Sequence, residues 1–262
     1  MTTPKIPTVH ENDSRLYLWE DGKHPGVTSI VGMLPKPHLQ FWAAKMAAEA
    51  ALERGTVTEK DLNYIKTAHT RNRDEAADIG SNIHDLVDRK INGEDLELSA
   101  DEMQFIDGFD QFCQRFNPVW EKTEETVFGN YGDFTYAGSF DAIASIDGSN
   151  WLIDFKTTRS GIHPEVALQL SAYMNARKII HPDGSSEDVP RIDRCAVLWL
   201  RPDKWAFQEL HPQQTKFETG SLGDSYWHQF GALLHSWHWE NGAKKKALGT
   251  IQASGATTQE PF

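Results

Sequence analysis

Between residues 71 and 92 the apolar side chains Ile79, Ile83, Val87 and Ile91 recur every four positions, the stripe of an amphipathic helix. A second helix is predicted over 36–53, where Phe41, Trp42, Met46 and Ala50 repeat at helical spacing after Pro35-Lys36-Pro37, and a third over 99–116. The period then drops to two, which predicts strands near 124–130, 134–146 and 151–157. Helical spacing returns over 163–181, with His163-Pro164-Glu165 at its start and Val166, Leu170 and Met174 along one stripe. Cys195-Ala196-Val197-Leu198-Trp199-Leu200 is a nearly unbroken apolar run, as expected of a strand covered on both faces. Trp205 to Leu210 extends it as a hairpin through Pro202-Asp203, and a last helix over 222–240 carries Trp227, Phe230, Leu233, Leu234 and Trp237 for packing on the outside of the sheet.

The hairpin around Asp147-Gly148 fixes where several charges fall. A two-residue turn at its tip places Asp141 opposite Asp154. A four-residue loop from Asp147 to Asn150 would instead set Lys156 opposite Asp141. In either register Asp141, Asp154 and Lys156 share one face, and Phe140, Ala142, Ala144, Ile146, Ile153 and Phe155 form the opposite, buried face. Two carboxylates so close repel each other unless a proton or a cation lies between them. Lys156 alone is one candidate for that cation, which would make the face a salt-bridged edge. A divalent metal is the other, since directly opposed side chains stand about 4.5–5.5 Å apart, a span one ion bridges.

Gln169, Tyr173 and Arg177 follow at successive four-residue spacings, so they form one polar ridge on the predicted helix. A glutamine and a tyrosine there are able to orient a water and grip a phosphate or base. On the upstream helix His84 sits one turn after Gly80, whose missing side chain lets another element approach. A histidine in that place is either a packed residue or a ligand.

Gly80 to His84, Gly138 to Asp141, Asp154 to Lys156 and Gln169 to Tyr173 together resemble, in order, the motifs of the RecB-type branch of the PD-(D/E)XK nucleases. That branch includes bacterial recombination nuclease domains, CRISPR adaptation nucleases and phage exonucleases. The resemblance covers roughly residues 25–210, and the stretch from Val27-Thr28-Ser29-Ile30 to Phe41-Trp42-Ala43-Ala44-Lys45 is similar to the start of actinobacteriophage members. It implies an α/β, restriction-endonuclease-like core of order α-β-β-β-α-β over 99–242. An N-terminal strand and helical region, 1–98, would carry His84. By resemblance, Asp141, Asp154, the Phe155 backbone carbonyl and His84 hold Mg²⁺ or Mn²⁺. Lys156 positions or deprotonates the attacking water, and Gln169 and Tyr173 hold the strand being cut. The family's further acid falls on Glu124 or Glu125, and the strand pattern does not choose between them. Phe140 stands where the family's name has proline. Many relatives ligate an iron-sulfur cluster with four cysteines; only Cys113 and Cys195 are present, so no cluster is expected. The implied activity is that of a metal-dependent DNA exonuclease in phage recombination or replication. A structure- or site-specific endonuclease and a non-catalytic nucleic-acid-binding protein are the alternatives on the same fold.

Charge modifies this picture only through its distribution. The net charge is −12, yet residues 156–204 hold eight Lys/Arg against six Asp/Glu while residues 1–155 hold fourteen against twenty-seven. Arg159, Arg177, Lys178 and Arg201 are therefore the candidates for contacts to DNA, contacts that weaken steeply with salt. A single-strand-binding or annealing protein is a further candidate partner, and nothing in the sequence assigns an oligomeric state. Two cysteines, no signal-peptide pattern at Met1-Thr2-Thr3-Pro4 and no apolar run of membrane length lead to an expectation of free thiols in a bacterial cytoplasm, with no membrane partner. The composition of 243–262 predicts a disordered tail. Its Lys244-Lys245-Lys246 is a candidate for backbone contacts, and its final Pro261-Phe262 resembles the end of single-strand-binding-protein tails.

Overall fold

The computed structural model describes residues 5–211 and 226–250. The chain opens with an antiparallel meander, β1 (Thr8–Glu11), β2 (Ser14–Trp19) and β3 (Gly22–Pro25), followed by the short helix α1 (Val27–Val31). Three further helices, α2 (His38–Arg54), α3 (Leu62–Lys66) and α4 (Ala68–Ile91), lead to α5 (Ala100–Phe116). Ser99 starts α5 with a capping box: its Oγ accepts from the Glu102 N–H, and the Glu102 carboxylate accepts from the Ser99 N–H. Then come β4 (Val119–Thr123), β5 (Thr126–Tyr131), β6 (Phe134–Ser139), β7 (Ala142–Ile146), β8 (Ser149–Lys156), α6 (Val166–Met174), β9 (Lys178–Ile180), β10 (Ser186–Asp188), β11 (Arg194–Arg201), β12 (Lys204–Leu210) and α7 (Tyr226–Asn241). The architecture is mixed α/β.

Five strands form the central sheet in the order β12-β11-β8-β7-β4; β8 and β11 run parallel and the other neighbours antiparallel. One face is covered by α4 and α5, where Ile83, Leu86, Val87, Phe105 and Phe109 meet Ala144, Ile153 and Leu198. Each fully buried aliphatic there contributes about 1.5–3 kcal/mol. The other face, through Ile143, Leu152 and Val197, packs against α1, α6, α7 and a second sheet, β10-β9-β5-β6. No helix among the described residues is long and apolar enough to cross a membrane.

Several expectations are corrected. The predicted strand 134–146 divides at Phe140-Asp141, with β6 in the four-stranded sheet and β7 in the central one. Phe140 consequently packs with Tyr136 and Val27 and leaves the face of Ala142 and Ala144, and both faces of the hairpin are buried. The predicted helix 163–181 stops at Met174; the Arg177 N–H bonds the Phe128 carbonyl, and the chain enters β9. Arg177 thus leaves the ridge of Gln169 and Tyr173. On α2 only Ala50 is buried, and Phe41 is 78% exposed. Ile79 is exposed too, because α4 reaches the sheet only from Ile83 onward. The N-terminal strand region takes the form of a three-stranded meander, and β4, β9 and β10 have no counterpart among the expected elements. In the expected tail, Ala243–Ala247 form a 3-10 turn with Lys244 paired to Glu240; the rest, from 251 to Pro261-Phe262, lies outside the described residues, as do positions 222–225 of the last predicted helix.

Candidate functional site

Asp147 and Gly148 have positive φ, 51° and 74°, as a two-residue type I′ turn requires. The pairs from Ile146↔Ser149 to Ala142↔Ile153 follow from it, which is the register that brings Asp141 to Asp154. Beyond the last pair, Asp141 Oδ2 accepts the Phe155 N–H at 2.6 Å. Asp154 is only 2% exposed. Its Oδ2 lies 2.5 Å from Lys156 Nζ, and Gln169 Nε2 donates to its Oδ1 at 2.9 Å. Gln169 also donates to the Tyr173 hydroxyl at 3.3 Å, so α6 ties the carboxylate to a buried phenol.

Gly138 explains how that phenol fits. A Cβ at Gly138 would stand 2.7 Å from Tyr173 Cε1 and 2.9 Å from Val27 Cγ2, distances no packed side chain tolerates. The glycine upstream of Asp141 and the tyrosine downstream of Gln169 therefore serve one contact. Gly80 acts similarly: the chain leaving β8 passes so close that Thr157 Oγ1 would lie 3.2 Å from a Cβ there.

From α4, His84 Nδ1 comes within 3.4 Å of Asp141 Oδ1. Glu124 joins from the β4–β5 junction, where its φ of 53° turns the chain and its N–H bonds the Asp141 carbonyl at 2.9 Å. His84, Glu124 and Asp141 offer ligand atoms that all lie within 4.8 Å of one another. Of the two acids, Glu124 is the one beside His84 and Asp141. Glu125 points elsewhere, into a group with His181 and Glu187 beside Lys122. Asp154 lies beside this group, held by Lys156 and Gln169. Phe155 meets the site through its main-chain N–H, its ring packing in the core.

These groups line a cavity of about 700 Å³. Three of its walls have no counterpart among the residues singled out from the sequence. Lys5 Nζ lies 2.8 Å from Glu124 Oε2, Tyr17 accepts the Ser139 N–H at 3.2 Å, and Arg15 is at the rim. All three belong to the N-terminal segment and meander, over a hundred residues upstream, and carry no local signal. Conversely, none of the four expected DNA contacts lines the cavity. Arg159 is exposed past β8, and Arg177 and Lys178 are exposed at β9, Lys178 being paired with Asp188 at 2.7 Å. Arg201 Nη1 donates to the Thr157 carbonyl at 2.7 Å, and its guanidinium lies over the Phe105 ring.

Burial dominates the electrostatics. It lifts the Asp154 carboxyl to about 6, with Lys156 opposing and the Asp141 charge adding. Burial acts the same way on Asp141, but His84 and Lys156 outweigh it and hold that carboxyl low. Burial also raises Glu124, helped by the Asp141 charge and opposed by Lys5. For Lys156 burial favours the neutral amine, yet Asp154 and Asp141 win and its pKa rises, so it is an ammonium here. His84 follows the same pattern, raised against its burial by Asp141.

These opposite shifts predict opposite pH behaviour in chelator. Asp154 binds its proton more tightly folded than unfolded, so its contribution to stability is present below pH ~4 and lost as pH rises through about 6. Asp141 contributes above its unfolded pKa and loses that contribution in acid. Melting temperature of Asp154→Asn relative to wild type should therefore climb between pH ~4 and ~7, whereas that of Asp141→Asn should fall as pH rises toward ~4 and stay level above it. Thermal scans across that range check the pair of slopes, and parallel curves would contradict the assigned protonation.

No protein-family model matches the chain, and no curated protein does. Among solved structures it is similar to one described as the crystal structure of SSO0001, with 16% identity over 68% of this chain and 81% of that one and a TM-score of 0.29. A likeness of that degree says nothing about function.

Proposed function

We propose that this chain is a metal-dependent deoxyribonuclease of the RecB-type PD-(D/E)XK kind, acting as an exonuclease on DNA. The observation that carries the reading is the convergence of His84, Glu124 and Asp141 from three separate elements, beside the buried Asp154–Lys156 pair. The order α5, then β4, β7 and β8 of the central sheet, then α6 and β11 also supports it, since with β5–β6 and β9–β10 set apart in the second sheet it matches the α-β-β-β-α-β expected of that nuclease core.

The donor set fits a small divalent cation. His84, Glu124 and Asp141, with ligand atoms all within 4.8 Å of one another, would hold it, one nitrogen and two carboxylates. Asp154 Oδ2 is buried and accepts no well-aligned hydrogen bond, Lys156 lying near it off the preferred direction, so this oxygen has capacity for a further cation. An imidazole among oxygens makes Mn²⁺ as suitable as Mg²⁺. When bound, the ion would polarise the phosphoryl oxygen and lower the pKa of a coordinated water.

The chain's own residues do the rest. The Lys156 ammonium, aimed by Asp154, is placed to donate to the attacking water and to offset charge growing on the phosphate. Gln169 keeps Asp154 and Tyr173 in register, and the Tyr173 hydroxyl, which accepts from Gln169, has its own proton to donate to the strand being cut.

Linear and covalently closed circular DNA, each incubated with the protein and Mg²⁺ or Mn²⁺, test the reading. Loss of the linear substrate alone is the expected result. Cutting of circles would reassign the protein as an endonuclease on the same site, and binding without cleavage of either would make it a non-catalytic nucleic-acid-binding protein.

A further inference from the structure

The cavity above Asp141 continues past its rim. A second hollow of about 810 Å³ opens on the other side of Arg15, between the β1–β2 turn, α1 and the end of α7, and Arg15 and Thr28 line both spaces. Its floor is fixed by two hydrogen bonds, Trp237 Nε1 to Ser14 Oγ at 2.9 Å and the Arg15 N–H to Ser29 Oγ at 2.9 Å. Its far wall is the 3-10 turn that carries Lys244 and Lys245.

The chemistry of this hollow is that of a backbone groove. Met33 is the only large apolar residue among those lining it; the rest are small, polar or charged, with the carboxylates of Asp13 and Glu240 set against Arg15, Lys244 and Lys245. Lys244 is occupied by Glu240. Arg15 and Lys245 are exposed, and neither has an ion pair among the described residues. Two unpaired cations at either end of a polar channel suit a ligand that carries a negative charge at each repeat and asks for hydrogen-bond donors between. A folded protein partner would need apolar anchors, which this wall lacks.

We infer that the second hollow, joined to the candidate catalytic cavity through Arg15 and Thr28, is the track of a single DNA strand whose phosphates meet Arg15 and then Lys245. This rests on the nuclease reading above. A single strand is specified by depth: Asp154 and Tyr173, at the cavity floor, are each 2% exposed. A phosphodiester reaches such a floor when its strand is free of its complement, whereas a duplex is a stiff rod with a persistence length of about 50 nm. A positive groove that follows the backbone is the usual way of holding such a strand.

The test measures binding of a short and a long fluorescein-labelled oligothymidylate in EDTA, with wild-type cleavage of the same strands in Mg²⁺ followed in parallel. Each lost phosphate contact on a single strand lowers the salt slope by about 0.7, which at 0.1 M salt is roughly a fivefold loss of affinity. Lys245→Ala should therefore weaken the long strand roughly fivefold, and Arg15→Ala with Lys245→Ala roughly twenty-five-fold. The Lys245→Ala loss should be confined to the long strand. Equal loss on both lengths, or no loss on either, overturns the track, as does the same Lys245 dependence on a blunt duplex. Absence of wild-type cleavage with the length-dependent loss intact would remove the nuclease reading and leave the track; normal cleavage without that loss would do the reverse.

Discussion

Asp141→Ala and Asp154→Ala are each expected to reduce DNA cleavage by at least about a thousandfold, the scale of losing a metal ligand or a preorganised charge at a reacting phosphate. The two carboxylates reach that result by different routes. Asp141 belongs to the triad with His84 and Glu124, and its second oxygen holds the Phe155 N–H at 2.6 Å. On the proposed reading its removal takes one of three metal ligands, and it leaves a main-chain donor without its partner. Asp154 aims Lys156 and anchors Gln169. Its removal leaves three potential ligands in place and lets the ammonium drift. Calorimetric titration with Mn²⁺ should accordingly show the larger loss of affinity for Asp141→Ala, while both variants are inactive. Near-normal turnover in either one would sink the site.

Lys156→Met tests whether the lysine is only a counter-charge. The side chain is buried beside two carboxylates, and as a simple balancing cation it would become dispensable once a divalent ion supplied the charge. Methionine keeps the volume and the apolar stem but loses the ammonium. On the catalytic reading the variant binds Mn²⁺ and DNA as wild type does and loses cleavage by about a hundredfold or more, the usual scale for removing one positioned donor. Retained cleavage in saturating Mg²⁺, together with a lower melting temperature in chelator, would assign Lys156 to charge balance alone.

The parts of this protein that were legible in its sequence are those that short-range rules decide. Asp147-Gly148 adopts positive φ at low cost, so turn chemistry set the hairpin register and with it the shared face of Asp141, Asp154 and Lys156. The helix expected over 99–116 is α5, and the apolar run at Cys195 to Leu200 marked a strand buried on both faces. The spacing of Gln169 and Tyr173 likewise survived, because both lie within the nine residues of α6; Arg177, beyond its end, did not stay with them.

Periodicity records that a face is covered without recording by what, and it holds only while the backbone keeps one conformation. Glu124 breaks that condition. Its left-handed φ reverses the alternation between β4 and β5, so no count along the strand distinguishes it from Glu125. The same crossing, where the Glu124 N–H meets the Asp141 carbonyl and the Phe140 N–H meets the Glu125 carbonyl, splits one predicted strand between two sheets and moves Phe140 to the other core. Lys5, Arg15 and Tyr17 reach the cavity only because the meander docks on β6, through the Gly26–Ala137 bridge, which no local pattern announces. The sequence by itself determined which residues carry charge on the hairpin and at what spacing. Tertiary packing alone decided that His84 and Glu124 come to lie beside Asp141, since those contacts join segments whose separation along the chain hides them from every short-range rule.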